Sequence, residues 1–173
     1  MDENEGMVRL HIVSDLPESR QAVLTMKIMT FEGQELWKES LPVDIPARSS
    51  AIYVEKGIGG YDIGKTMLVA SLATEGNIYD SGLHYFTQPK NLKLTDPGIT
   101  VEVSEKGDVF EITLASVSLA RNVFLTAEGF MGQFSDNFFD ILPGEKVSVT
   151  FPKSGNPEDF KDHLKLMHLQ QTM

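Results

Sequence analysis

The feature that most constrains this chain is a two-residue alternation of apolar and polar side chains, interrupted at short intervals by turn-forming residues. Val8, Leu10 and Ile12 alternate with Arg9, His11 and Val13, and Leu24, Met26 and Ile28 alternate with Thr25, Lys27 and Met29. Successive side chains of a strand point to opposite faces, so these runs predict half-buried strands. Glu32-Gly33-Gln34 and Glu75-Gly76-Asn77 break the pattern as hairpin tips do. The second tip joins a strand at 67–73 to one at 78–86, with Asp80-Ser81-Gly82 as a bulge or kink. Gly57-Ile58-Gly59-Gly60 reads as a flexible connection. About seven strands in the first half predict an immunoglobulin-like sandwich.

Two prolines, Pro89 and Pro97, restrict the stretch 87–98 and exclude a central strand there. The domain seam is expected in this stretch, dividing the chain into domains 1–87 and 88–173. Leu92 and Leu94 alternate with polar neighbours, so the linker is expected to lie against one domain. The pattern then restarts. Ile99, Val101 and Val103 form a strand, Glu105-Lys106-Gly107-Asp108 turns the chain, and residues 109–115 return. Further strands are expected at 122–126, 137–142 and from Val147 to Phe151, with Pro143-Gly144 at the centre of a type II turn. Residues 154–161 read as a polar loop before a closing strand from Leu164, for which a short helix is the competing reading. The fold class is therefore all-β, two tandem immunoglobulin-like β-sandwiches. A weak internal repeat, Ile45-Pro46-Ala47 against Leu142-Pro143-Gly144 before an alternating strand, fits a duplication.

Charge and composition exclude several functions. A formal net charge of -10 opposes the nucleic-acid backbone and anionic membranes. No apolar run approaches the roughly 18 residues of a spanning helix. The acidic start Met1-Asp2-Glu3-Asn4-Glu5 is the reverse of a signal peptide, so a secretion signal would have to lie outside this chain. With no cysteine, disulfides and thiolate metal sites are excluded, and the compartment is left open.

Three stretches carry a family resemblance. The run Phe134-Ser135-Asp136-Asn137-Phe138-Phe139-Asp140-Ile141-Leu142-Pro143-Gly144-Glu145 closely resembles the Ser-Asp-Asn-aromatic-Phe-Asp-apolar-Leu-Pro-Gly-Glu segment of glycoside hydrolase family 2 β-mannosidases. Residues 86–94 are similar to that family's aromatic-Pro-Lys-x-Leu linker between its last two domains, and Leu41 to Ala47 matches a less specific strand-turn pattern. The resemblance implies the non-catalytic C-terminal region of a parent enzyme that hydrolyses terminal β-D-mannosides with retention. It also implies a catalytic (β/α)8 barrel as partner in the same parent chain, while the parent's compartment stays open among periplasmic, secreted and lysosomal. Such a barrel takes about 250 residues, more than this whole chain, so no catalytic residue is carried over and the chain itself is expected to be inactive. No cofactor or metal is expected. The alternative is an independent carbohydrate-binding or adhesion module of the same architecture.

Candidate contact residues are aromatic. Trp37 could stack on a sugar, but a tryptophan on the third strand also fills sandwich cores. Phe130, Phe134 and Phe138, with Met131 and Phe139, place more apolar surface within ten residues than one short strand buries, so sugar or interface contact is open beside core packing. Asp136 and Asp140 read as turn and strand-end residues, because the intervening Phe138-Phe139 is unlike the oxygen-rich loop of a calcium site. Histidines 11, 84, 163 and 168 show no ligand pairing.

Overall fold

The computed structural model describes residues 2–4, 6–74 and 77–171. The chain divides into two compact units, one of Met1–Thr30 with Gln34–Lys93 and one of Leu94–Met173 with Phe31–Gly33. Each is a two-layer β structure.

In the first unit, β1 (Asp2–Asn4), β2 (Met7–Ser14) and β5 (Ser49–Gly57) form one sheet in the order β1-β2-β5. The facing sheet has the order β4-β3-β6-β7, from β3 (Arg20–Thr30), β4 (Glu35–Ile45), β6 (Thr66–Thr74) and β7 (Asn77–Tyr85). Every pairing is antiparallel. The alternation places Val8 and Leu10 of β2, Leu24, Met26 and Ile28 of β3 and Leu68 and Ala70 of β6 in one buried core. Removing that apolar surface from water holds the sheets together, at roughly 25 cal/mol per Å².

The turns follow their sequence signals. Gly33 takes φ +93 where Thr30 N–H donates to the Gln34 carbonyl, which closes the β3–β4 hairpin. Glu75-Gly76, the core of the second expected hairpin tip, lies outside the described residues. Two expectations are corrected. Asp80-Ser81-Gly82 pairs regularly with Ala70 to Leu72, and the register shift comes just before it, between Asp80 and Ile78. Gly57-Ile58-Gly59-Gly60 is anchored, because Ile58 is buried and its N–H donates to the Gly6 carbonyl.

The seam stretch begins with a short 3-10 turn at Pro89–Asn91 and continues along the first unit. Leu92 is buried, Lys93 N–H donates to the Gly64 carbonyl at 2.8 Å, and the Lys93 ammonium lies 3.1 Å from the Asp62 carboxylate.

The second unit has sheets β12-β9-β8 and β11-β10-β13, from β8 (Thr100–Lys106), β9 (Val109–Ala115), β10 (Ala120–Ala127), β11 (Phe139–Ile141), β12 (Lys146–Pro152) and β13 (Leu164–Met167). Phe110, Ile112 and Leu114 of β9, Val123 and Leu125 of β10, and Val149 and Phe151 of β12 meet in its core. Gly144 at φ +75 and the bond from Glu145 N–H to the Leu142 carbonyl give the expected turn before β12. The expected polar loop at 154–161 is corrected: Pro157–His163 is a helix, α1. Asn156 caps it by accepting from Asp159 N–H, Pro157 starts it, and Phe160 is fully buried. A polar segment with one apolar residue lacks a helical stripe, which is why periodicity misses this element. Among the described residues, no helix is long and apolar enough to cross a membrane.

Candidate functional site

The aromatic segment after β10 separates into core and surface. Phe130 and Phe134 are half-buried and pack on the second core. Phe130 meets Phe160 edge-on at 5.2 Å, and Phe134 lies 4.8 Å from Phe151. Phe139 also packs on that core, with Ile141 inside it. Phe138 does not: it is 66% exposed, and Met131 is 90% exposed.

The backbone holds Phe138 outward. Its φ of +62 lies in the left-handed region, where a bulky aromatic residue costs about 1–3 kcal/mol and persists only where its surroundings enforce it. The neighbouring polar groups supply that enforcement. Asn137 accepts Leu125 N–H on Oδ1 at 2.7 Å and donates through Nδ2 to the Leu125 carbonyl at 2.9 Å. Asp136 accepts Asn137 N–H, and Asp140 accepts Asn122 N–H at 2.8 Å, where the β10–β11 register shifts and Asn122 takes φ +50. Asn137 and Asp140 thus clamp the segment to β10, while Ser135 bonds Thr150 of β12.

Phe138 stacks on Phe124, with centroids 4.6 Å apart and planes 22° from parallel. Phe124 lies on the outward side of β10, between inward Val123 and Leu125, and its register partner on β13 is Met167, which is 51% exposed. Phe124, Phe138 and Met167 make a continuous apolar surface that the sequence reading missed. Its signal was available: an aromatic side chain at the solvent-facing position of an alternating strand. At the far end of the same face, Lys165 pairs with Glu128 at 2.6 Å. That hydrogen bond, and then the lysine charge, hold the Glu128 carboxyl below its ordinary pKa. The surface offers dispersion and apolar burial beside one ion pair.

Trp37 lies elsewhere, in the first unit. It is half-buried against the core while its neighbour Leu36 is exposed, and the Lys56 ammonium sits 4.2 Å from its ring centroid. One ring face is therefore occupied by the protein's own cation. His163 Nδ1 bonds the Asp159 carbonyl within α1, and no group of three metal-ligating side chains occurs among the described residues.

Fold and site together define a tandem immunoglobulin-like module. Residues 6–91 match the family described as a Mannosidase Ig/CBM-like domain, and residues 94–172 match the Ig-fold domain Ig_mannosidase. Beta-mannosidase A of Emericella nidulans is 26% identical over 89% of this chain and 18% of its own length. The goat (Capra hircus) beta-mannosidase is 29% identical over 86% and 18%. The crystal structure of a β-D-mannosidase from Dictyoglomus thermophilum superposes with a TM-score of 0.80 at 25% identity, over 97% of this chain and 21% of that one. An Amycolatopsis orientalis exo-chitosanase shares the fold alone, with a TM-score of 0.60 at 14% identity. This chain belongs to the family 2 β-mannosidases, of which it comprises the C-terminal immunoglobulin-like, non-catalytic region. It spans about a fifth of the length of these relatives, and the catalytic barrel is not part of it.

Proposed function

We propose that the chain is an accessory region that braces the catalytic barrel of a β-mannosidase, and that Phe138 with Phe124 and Met167 forms the docking face. The observation that carries this reading is the outward aromatic pair on a strained but clamped backbone, in a module whose relatives extend far beyond the matched region. An exposed apolar face of this kind is stabilised when a partner covers it. Phe130 and Phe134 serve the module's own core in this reading, and Trp37, already covered by Lys56, is a packing residue and not a sugar platform.

The purified chain is expected to leave p-nitrophenyl β-D-mannoside intact. Turnover that co-elutes with the chain and scales with its concentration would refute the accessory role. Docking is tested in trans by sedimentation of the chain with the remaining portion of the Dictyoglomus β-D-mannosidase. Phe138→Ala is expected to weaken association about tenfold or more, as loss of an interface anchor does. Unchanged association would move the docking face elsewhere.

A further inference from the structure

The methionines of this chain differ in what reaches their sulfur. Met26 and Met67 are buried, whereas Met131 and Met167 are open to solvent. Met167 ends β13, in which half-buried Leu164 and Leu166 pack on the second core and Lys165 and Met167 face outward. Its register partner is Phe124, and Phe124 carries the stacked ring of Phe138. Two of the three side chains of this face are phenylalanines, which peroxide leaves unchanged. The third is a thioether, which peroxide converts from a flexible apolar group into a polar one.

We propose that Met167 is an oxidation site through which peroxide controls docking, its sulfoxide releasing the Phe138 face from the catalytic barrel. The proposal rests on the docking reading given above. The sulfur lone pair attacks one oxygen of hydrogen peroxide, the O–O bond breaks as the S–O bond forms, and the second oxygen leaves as water with both protons. Sulfur gives up two electrons and the peroxide takes them. A dithiol reductant acting through a methionine sulfoxide reductase reverses the step, with the sulfoxide oxygen leaving as water and the dithiol becoming a disulfide. On the free face water solvates the new oxygen. Under an apolar partner it loses that water, and burial of a polar group without a hydrogen-bond partner is unfavourable. Lys165, the other outward residue of β13, already pairs with Glu128. Oxidation therefore penalises the docked state alone, and docking in turn must shield the sulfur. Met131 is more exposed than Met167 and is no part of the docking face, so its oxidation serves as the comparison.

The test treats the whole chain with hydrogen peroxide, removes the peroxide, and repeats the sedimentation with the remaining portion of the Dictyoglomus enzyme. Peptide mass spectrometry maps the sulfoxides. Met131 and Met167 are expected to oxidise before Met26 and Met67, and association should weaken about tenfold or more as Met167 sulfoxide accumulates. Compared with its own untreated form, Met131→Leu should show the same loss and Met167→Leu none. If Met167→Leu does not fold, the native chain sampled during oxidation decides, because the loss must follow Met167 sulfoxide and not Met131 sulfoxide. An untreated chain that fails to associate would remove the docking reading, and this proposal with it. Association that survives full oxidation of Met167, or a loss that persists in Met167→Leu, would overturn the oxidation switch alone.

Discussion

Asn137 accepts the main-chain N–H of Leu125 and donates to its carbonyl, so one side chain stands where the next residue pair of a strand would be. β11 ends its pairing with β10 at Phe139 and Val123, and Asn137 continues that side of the ladder. Asn137→Ala leaves both Leu125 groups without this partner, and a cost of about 2–3 kcal/mol is expected in urea unfolding of the chain. Asn137→Asp, which keeps the acceptor and loses the donor, should fall between. A cost below about 0.5 kcal/mol for the alanine variant would mean that water replaces the clamp. The sequence reading assigned Asp136 to a turn, but it could not name Leu125 as the partner of Asn137, because that contact spans twelve residues and depends on how β10 lies.

At the scale of elements, α1 and the linker show how tertiary contacts decide local structure. A seven-residue helix is too short to persist alone, so its cap and its packing must hold it. Phe160 supplies the packing, with ring centroids 4.6 Å from Phe110 and 5.1 Å from Phe151. Phe160→Ala is expected to cost about 3–5 kcal/mol by calorimetry, the range of a buried aromatic truncation. A loss under about 1 kcal/mol would mean that the site collapses around the gap.

The linker is held partly by charge. Asp62 accepts from the Lys93 ammonium and from Gly64 N–H, and these bonds, the lysine first, lower its pKa. A carboxylate with a lowered native pKa contributes stability above its unfolded pKa, and that contribution is lost as pH falls through the native value. The difference in urea midpoint between the native chain and Asp62→Asn should therefore be present at neutral pH and fade as the pH falls below the ordinary aspartate range. A difference that persists at acid pH would assign the effect to shape and not to charge.

For the molecule as a whole, the open point is where one module ends and the next begins. The prolines of the stretch 87–98 predict a boundary after Thr87, the compact units divide after Lys93, and two cuts separate the possibilities. A first module ending at Lys93 keeps buried Leu92 and the Lys93 main-chain bond to Gly64. It is expected to unfold at a higher urea midpoint than one ending at Thr87. Equal midpoints would favour the boundary at 87/88.

Alternation by itself determined the two sandwiches, because every second residue of a strand must face the core and Val8-Leu10-Ile12 or Phe110-Ile112-Leu114 can satisfy that in only one way. The Ser135 to Glu145 run carried the family. Only the tertiary structure decided which phenylalanines are core and which are surface, since Phe134, Phe138 and Phe139 sit within six residues and their directions depend on a left-handed turn that no periodicity encodes. The same holds for the last strand of the first unit. Asp80 and Gly82 read as a kink in sequence, and only their pairing across from Leu72 and Ala70 shows that they continue a regular ladder.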